Sequence, residues 1–356
     1  MRVGLDISIQ GHRDRTGVER AQATLIDGLL ALDRSHELHL LSHGEVPARW
    51  REHPRVQVHT SSVTPSWLWR EMVVPRVVRA AGLQLLHSPV VALSRTAACP
   101  QIATVHEVPW AVAQGRQGDH SWRHRLALGR AVRRAASLLC VSRRTADQLA
   151  GLHPRCASRI SVVPHGIDPS FCPEPGQPPP SMRPPTLLVV GRLRAKKNLA
   201  RLLDAVASLP EATLQIVGPP GDASVALQQR AAEGDLSGRV HFAGFLADGE
   251  LLAAYRAARC VVFPSLFEGF GLPVLEAMAV GTPVVAAEQG AVPEAVGPAA
   301  LLVDGNSSAG LSQALARVMA DGALADDLAT RGLAHASQRT AAIQAQATMA
   351  LWEQLP

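Results

Sequence analysis

Aromatic residues supply only 4% of the 356 residues, with a single tyrosine, and lysine is almost missing: of 35 basic residues only the adjacent Lys196 and Lys197 are not arginine. No run of about 18 uninterrupted apolar residues occurs, which excludes a membrane-spanning helix. The opening segment MRVGLDIS is strand-like at once. It has no basic stretch followed by an apolar core, so no secretory signal is expected. Cys99, Cys140, Cys156, Cys172 and Cys260 form no CxxC or Cys/His ligand set, which argues against both a zinc site and a disulfide framework. No D-x-D pair is present to hold a metal, and no G-x-G-x-x-G fingerprint of nicotinamide cofactors. The expectation is a reduced, intracellular, soluble enzyme, cytoplasmic or at the inner face of the plasma membrane.

What is present is apolar material, 47% of the chain, enough for two cores of roughly 170 residues each. Short apolar runs at 2–8, 38–41, 83–87, 101–105, 137–141 and 160–163 alternate with helical spacing, as in 18–32, where Ala21, Leu25, Leu29 and Leu32 share a face. Seven prolines crowd 173–185 and exclude regular structure there. The segment reads as a linker or as an ordinary long loop. The alternation then restarts. Strands are expected at 186–190, 212–217, 239–242, 259–263, 283–286 and 300–303, and helices at 198–208, 223–233, 248–257, 273–280, 291–296 and 309–320. An Ala-rich helix over about 326–354 closes the chain. The fold class is α/β, two doubly wound parallel-sheet domains with ligands in the crevice at the strands' carboxyl ends. The domains span 1–172 and 186–338, joined by the Pro-rich linker 173–185, with a C-terminal helix in 339–356 packing back towards the first.

Charge is uneven. Residues 1–180 carry 22 arginines against 14 acidic residues, and the remainder carries 13 basic against 16 acidic. The first half either meets an anionic partner or reflects a composition bias. A net acidic second half with few aromatics argues against nucleic acid.

The densest motif is 259–287: a strand, then SLFEGFG, then LPVLEAMAVG. Gly269 and Gly271 permit close backbone approach just before a helix whose N–H groups suit an anion or a sugar hydroxyl. Glu268 lies ahead of that turn and Glu276 is placed in the helix's first turn. Carboxylates accept from vicinal hydroxyls, although an exposed Glu268 and a capping Glu276 would give the same spacing. In TLLVVGRLRAKKNL (186–199), Gly191 ends a strand, Arg192 and Lys197 project from the sheet's carboxyl edge, and Asn198 is placed to cap the next helix. A fork and a point charge together suit a diphosphate without a metal; a solvated basic turn is the alternative. His106 follows the strand of IATVHEVPW (102–110) as a candidate proton donor or a structural histidine. Gly17 closes QGHRDRTG (10–17), and the helix after it could face the same diphosphate.

Taken together, VGRLRAKKNL, LQIVGPPG and VHFAGFLADGELLAAYRAARCVVFPSLFEGFGLPVLEAMAVGTPVVA resemble the retaining glycosyltransferases of family 4, which have the GT-B fold and an E-x7-E signature, matched here by Glu268 and Glu276. TGVERAQATLIDGLLAL, WREMVVPRVVRAAGLQLLHSP, TVHEVPW and VSRRTADQLAGLHPRCASRISVVPHGIDPSF are similar to that family's first domain. The resemblance implies a nucleotide-sugar donor; with no D-x-D pair, neutralisation by Arg192 and Lys197 is expected to need no metal, and no cofactor is expected. The resemblance also implies that Glu276 holds the ribose, and that Glu268 with the N–H groups of Phe270, Gly271 and Leu272 meets the transferred sugar. Arg192 and Lys197 would clamp the diphosphate, and backbone near Phe245 and Leu246 would meet the base. His106 would lie by the bond being cleaved and Gly17 near the phosphates. Glu107 stands where the family often has Asp. The first domain looks most like bacterial mannosyltransferases of surface polysaccharide, which implies GDP-mannose, with UDP-sugars open, and a glycan or lipid-linked acceptor. A GT-B epimerase or phosphorylase, or a non-catalytic sugar-nucleotide-binding protein, are the alternatives.

Two stretches carry Arg among aromatic and apolar residues. They are 67–79, with Trp67, Trp69, Arg70, Arg76 and Arg79, and 121–139, with Trp122, Arg123, Arg125, Leu126, Arg130, Arg133, Arg134 and Leu138. Both suit an anionic lipid surface; a buried helix with a solvated Arg face would read alike.

Overall fold

A computed structural model describes residues 1–10, 16–32, 36–111 and 122–355. Most of the loop 10–17 and the side chain of Arg123 lie outside the described residues. Among the described residues thirteen strands form two sheets. The first contains β1 Arg2–Asp6, β2 Glu37–Ser42, β3 Val56–Thr60, β4 Leu85–Ser88, β5 Gln101–Val105, β6 Ser137–Cys140 and β7 Ile160–Val162, in the order β3-β2-β1-β4-β5-β6-β7. The second contains β8 Thr186–Val190, β9 Thr213–Val217, β10 Val240–Gly244, β11 Cys260–Phe263, β12 Val284–Ala287 and β13 Leu301–Val303, in the order β10-β9-β8-β11-β12-β13. Every pairing is parallel. The central strands are buried throughout, which is why SLLC and CVVF read as unbroken apolar runs rather than alternations. In both sheets the order reverses beside the first strand, β1/β4 and β8/β11, so each has one crevice at its strands' carboxyl ends.

β3 was not expected. Its sequence VQVHT alternates, and as an edge strand it is only partly buried.

Two compact units emerge. Described residues up to 166, together with 341–355, form the first; residues 167–340 form the second. The division thus falls at Gly166/Ile167 and again at Thr340/Ala341. The Pro-rich 173–185 lies inside the second unit, where two arginines hold it. Arg183 donates to the carbonyls of Pro178, Ala258 and Gly281 and to the Thr282 hydroxyl, and Arg259 donates to Pro180.

The closing helix is two helices, Gly322–Ala336 and Ala341–Glu353, one in each unit. Between them the Ile167 N–H donates to the Arg339 carbonyl at 2.7 Å and Ile167 bridges Thr340. That pairing takes backbone groups a continuous helix would need. The last helix packs on Gly17–Ala31 and delivers Ala345, Met349 and Trp352 to the core under β1, β2 and β4. Gly28 permits this approach: a Cβ there would stand 2.5 Å from the Ala341 carbonyl oxygen. Among the described residues no helix is long and apolar enough to cross a membrane.

Candidate active site

Two loops meet at the carboxyl ends of β8 and β11. The Leu266 N–H donates to the Lys196 carbonyl, tying 191–198 to 264–271. Gly191 has φ +145, and a Cβ on it would lie 3.1 Å from Lys197 Cε, so the chain can turn only if residue 191 has no side chain. The Lys197 ammonium folds inward beside it, donating to Glu268 Oε1 at 2.7 Å and lying 4.9 Å from the centre of the Phe263 ring. Both partners are mostly buried, with side chains 14% and 13% exposed. Burial alone would raise the Glu268 carboxyl pKa. Lys197 and Lys196 outweigh it and hold the value below the usual carboxylate range.

Arg192 does not join this pair. Its guanidinium donates to the Pro220 carbonyl at 3.1 Å. Asn198 does not cap the following helix. Its backbone is left-handed, and its amide bridges the carbonyls of Pro264 and Gly305. Gly271, also left-handed, starts the helix Leu272–Ala279 with Pro273 in its first turn. Gly269, Phe270 and Gly271 are buried and Leu272 is half-buried at that helix start. Glu276 is the fifth residue of the helix rather than in its first turn, and it is buried. One oxygen accepts from the hydroxyl of Tyr255, the only tyrosine, at 2.8 Å. Phe245 is exposed and Leu246 half-buried just after β10, beyond the end of the edge strand. Among the described residues no group of three or more His, Cys, Asp or Glu gathers that could hold a metal ion.

Gly17 and His106 belong to the first unit. Gly17 starts its helix behind Thr16, which forms a capping box with Glu19. The position expected to face phosphate therefore already holds a buried carboxylate. His106 is half-buried after β5, with Nε2 2.7 Å from the Pro89 carbonyl oxygen and Nδ1 3.3 Å from His165 Nε2. Desolvation lowers its pKa, partly offset by Pro89 and Glu107. Beside it His87 is fully enclosed and pushed down to about 4 by burial. At the end of β1, Asp6 and Arg70 form a buried ion pair at 3.0 Å.

A family model described as "Glycosyl transferases group 1" matches residues 174–335, and one described as "Glycosyltransferase Family 4" matches 15–171. The chain belongs to the family 4, group 1 glycosyltransferases. It is 36% identical over 156 residues to the O-antigen chain mannosyltransferase B of Escherichia coli, a match covering 42% of this chain and 41% of that one. It is 33% identical over 274 residues to the glycogen synthase of Mycobacterium tuberculosis, covering 72% and 62%. The chain spans less than half the length of the curated relatives it matches at 36–38% identity. An Anabaena protein, HepE, solved with UDP and glucose, superposes with TM-score 0.75 at 22% identity over 99% of both chains, and shows the fold to be GT-B.

Within each unit, residues not singled out in the sequence stand against ones that were. Tyr255 orients Glu276 in the second unit, and in the first His165 contacts His106 and is itself contacted by Gln344. Tyr255 had one signal, its uniqueness in an aromatic-poor chain. The others lie far from their partners in sequence. The two basic stretches divide. Trp69 is fully buried, Arg70 is paired with Asp6, and Leu138 is a core residue of β6. Trp67, Met72, Arg76 and Arg79 stay exposed in the first stretch, and Trp122, Arg125 and Leu126 in the second.

Proposed function

We propose that this protein moves a hexose, read as mannose, from a nucleoside diphosphate sugar to a glycan or lipid-linked acceptor, with retention at the anomeric carbon and without a bound metal. The observation carrying this reading is the Lys197–Glu268 pair, enclosed at the mouth of β8 and β11. A diphosphate brings more negative charge than one carboxylate and competes for the ammonium. Glu268 then turns its oxygens to sugar hydroxyls. Negative charge grows on the leaving diphosphate as the glycosyl bond breaks, and a preorganised cation and helix N–H groups stabilise it by several kcal/mol per group. Glu276, held by Tyr255, suits a ribose diol.

The mannosyl reading draws on the name of the Escherichia coli relative. The UDP held by the Anabaena neighbour supports a UDP-sugar as the competing donor. A thermal-shift panel of GDP-mannose, UDP-glucose, GDP and UDP tests it. At 100 times Kd a donor adds about 2.7 kcal/mol of stability, and no shift with any of the four overturns the reading. Incubation of donor alone distinguishes an epimerase, which turns over without acceptor. Trp67, Trp122 and Leu126 with exposed arginines support contact with anionic lipid. Flotation with anionic vesicles should carry the protein upward at low salt, and no salt-sensitive flotation removes this contact.

A further inference from the structure

A line of four hydrogen bonds runs through the first unit from one backbone group to another. The Gly166 N–H donates to Gln344 Oε1 at 2.8 Å. Gln344 Nε2 stands 3.4 Å from His165 Nδ1, His165 Nε2 3.3 Å from His106 Nδ1, and His106 Nε2 2.7 Å from the Pro89 carbonyl. Both ends have a fixed sense, because an amide N–H only donates and a carbonyl only accepts. Starting from Gly166, the Gln344 oxygen is the acceptor, so its NH2 faces His165 and donates to Nδ1. His165 must then carry its proton on Nε2 and donate to His106 Nδ1. His106 must carry its own on Nε2, which is what the Pro89 carbonyl requires. The two ends demand the same proton placement, with both imidazoles neutral.

We propose that Gln344, on the C-terminal helix, is a positioning residue that sets the tautomer of His106 through His165. His106 then has both ring nitrogens committed. Its Nε2–H can reach a substrate oxygen by leaving Pro89, whereas its Nδ1 is closed as a base. Burial disfavours the charged form of both rings. The other ionisable groups acting on them are Glu107, which favours a proton on His106, and His124 and His87, which oppose one. The catalytic consequence rests on the glycosyl-transfer reading; the proton placement does not.

Long-range 15N spectra of the full chain with labelled histidine, assigned with His106→Gln and His165→Gln, test it near pH 7. The native protein should show His106 and His165 neutral and protonated on Nε2. In Gln344→Glu the new carboxylate still accepts from Gly166 but cannot donate to His165. Because the Pro89 end cannot reverse, His165 should take up a proton on Nδ1. In Gln344→Leu the single tautomer should give way to a mixture. Hydrolysis of GDP-mannose or UDP-glucose should lose roughly tenfold in kcat in Gln344→Leu, with KM for the sugar nucleotide unchanged. His106 protonated on Nδ1 in the native protein overturns the proposal even if neither variant folds. Unchanged His106 and His165 signals in both variants overturn it too, and an unchanged kcat beside a disturbed tautomer removes the positioning role. If neither sugar nucleotide binds the native protein, the proposed function fails while the spectra still decide the proton placement.

Discussion

The places where strand order reverses, β1/β4 in the first unit and β8/β11 in the second, have one topology and opposite chemistry. The first unit comes mostly from the arginine-rich half of the chain, yet the described charged groups at its reversal point are paired or held neutral. Arg70 is spent on Asp6, and His87, His106 and His165 are all pushed towards the neutral form by burial. The second comes from the net acidic half, yet it places both lysines of the chain at its crevice. Overall charge therefore says little about a site. Loop geometry decides which few charges face inward, and in the second unit Gly191 leaves the space in which Lys197 reaches Glu268.

Lys197→Ala should break the contrast most severely. It leaves Glu268 enclosed without its cation and should lower nucleoside diphosphate release by about 10²–10³. Arg192→Ala, whose guanidinium is held by Pro220, should cost roughly tenfold through the loss of one more exposed charge. Near-normal rates in both would dissolve the charged crevice as an explanation.

Acid should separate the units next. His87 titrates at about 4 when folded against an ordinary 6.5, so the unfolded chain takes up its proton first. This contribution is complete above pH 6.5 and fades as pH falls towards 4, an upper bound of about 3 kcal/mol. His106 and His165 shift the same way. Glu268 has a depressed pKa, so its contribution is lost only below the ordinary carboxylate range. All six tryptophans belong to the first unit and the single tyrosine to the second. Between pH 6.5 and 4 the tryptophan emission should change before the tyrosine signal, and coincident transitions would reject the difference.

Tyr255→Phe removes one hydrogen bond to a carboxylate and should weaken sugar-nucleotide binding about tenfold by calorimetry. The smallest effect should come from EDTA, within about twofold of the untreated rate if fixed cations do the neutralising. Activity abolished by EDTA and restored by magnesium would put an ion where Lys197 is assigned.

Much of this was legible in the chain, and the exceptions share a cause. Twelve of the thirteen strands in the described residues follow runs visible in the sequence, most of them buried, whereas β3, a partly buried edge strand like β7, β10 and β13, shows only a short alternation. The break between the last two helices contains neither glycine nor proline. It is imposed by Ile167, more than 170 positions earlier. Glu268 and Arg192 could be named because each stands beside a glycine, and Glu276 and Lys197 because they lie in the same short motifs. That Lys197 would meet Glu268 while Arg192 turned away was not written locally, since those choices depend on where residue 220 lies. Gln344 and His165 sit 179 positions apart, and nothing near either one announces the other.

The strip from Ala341 to Glu353 gives the molecule an unusual order of assembly. On a ribosome the first unit's sheet emerges early, but the core that covers β1, β2 and β4 waits for Met349 and Trp352. The part begun first is finished last, after every residue of the second unit has been made. A released chain truncated before position 349 would hold every residue of the second unit and leave an open seam on the first.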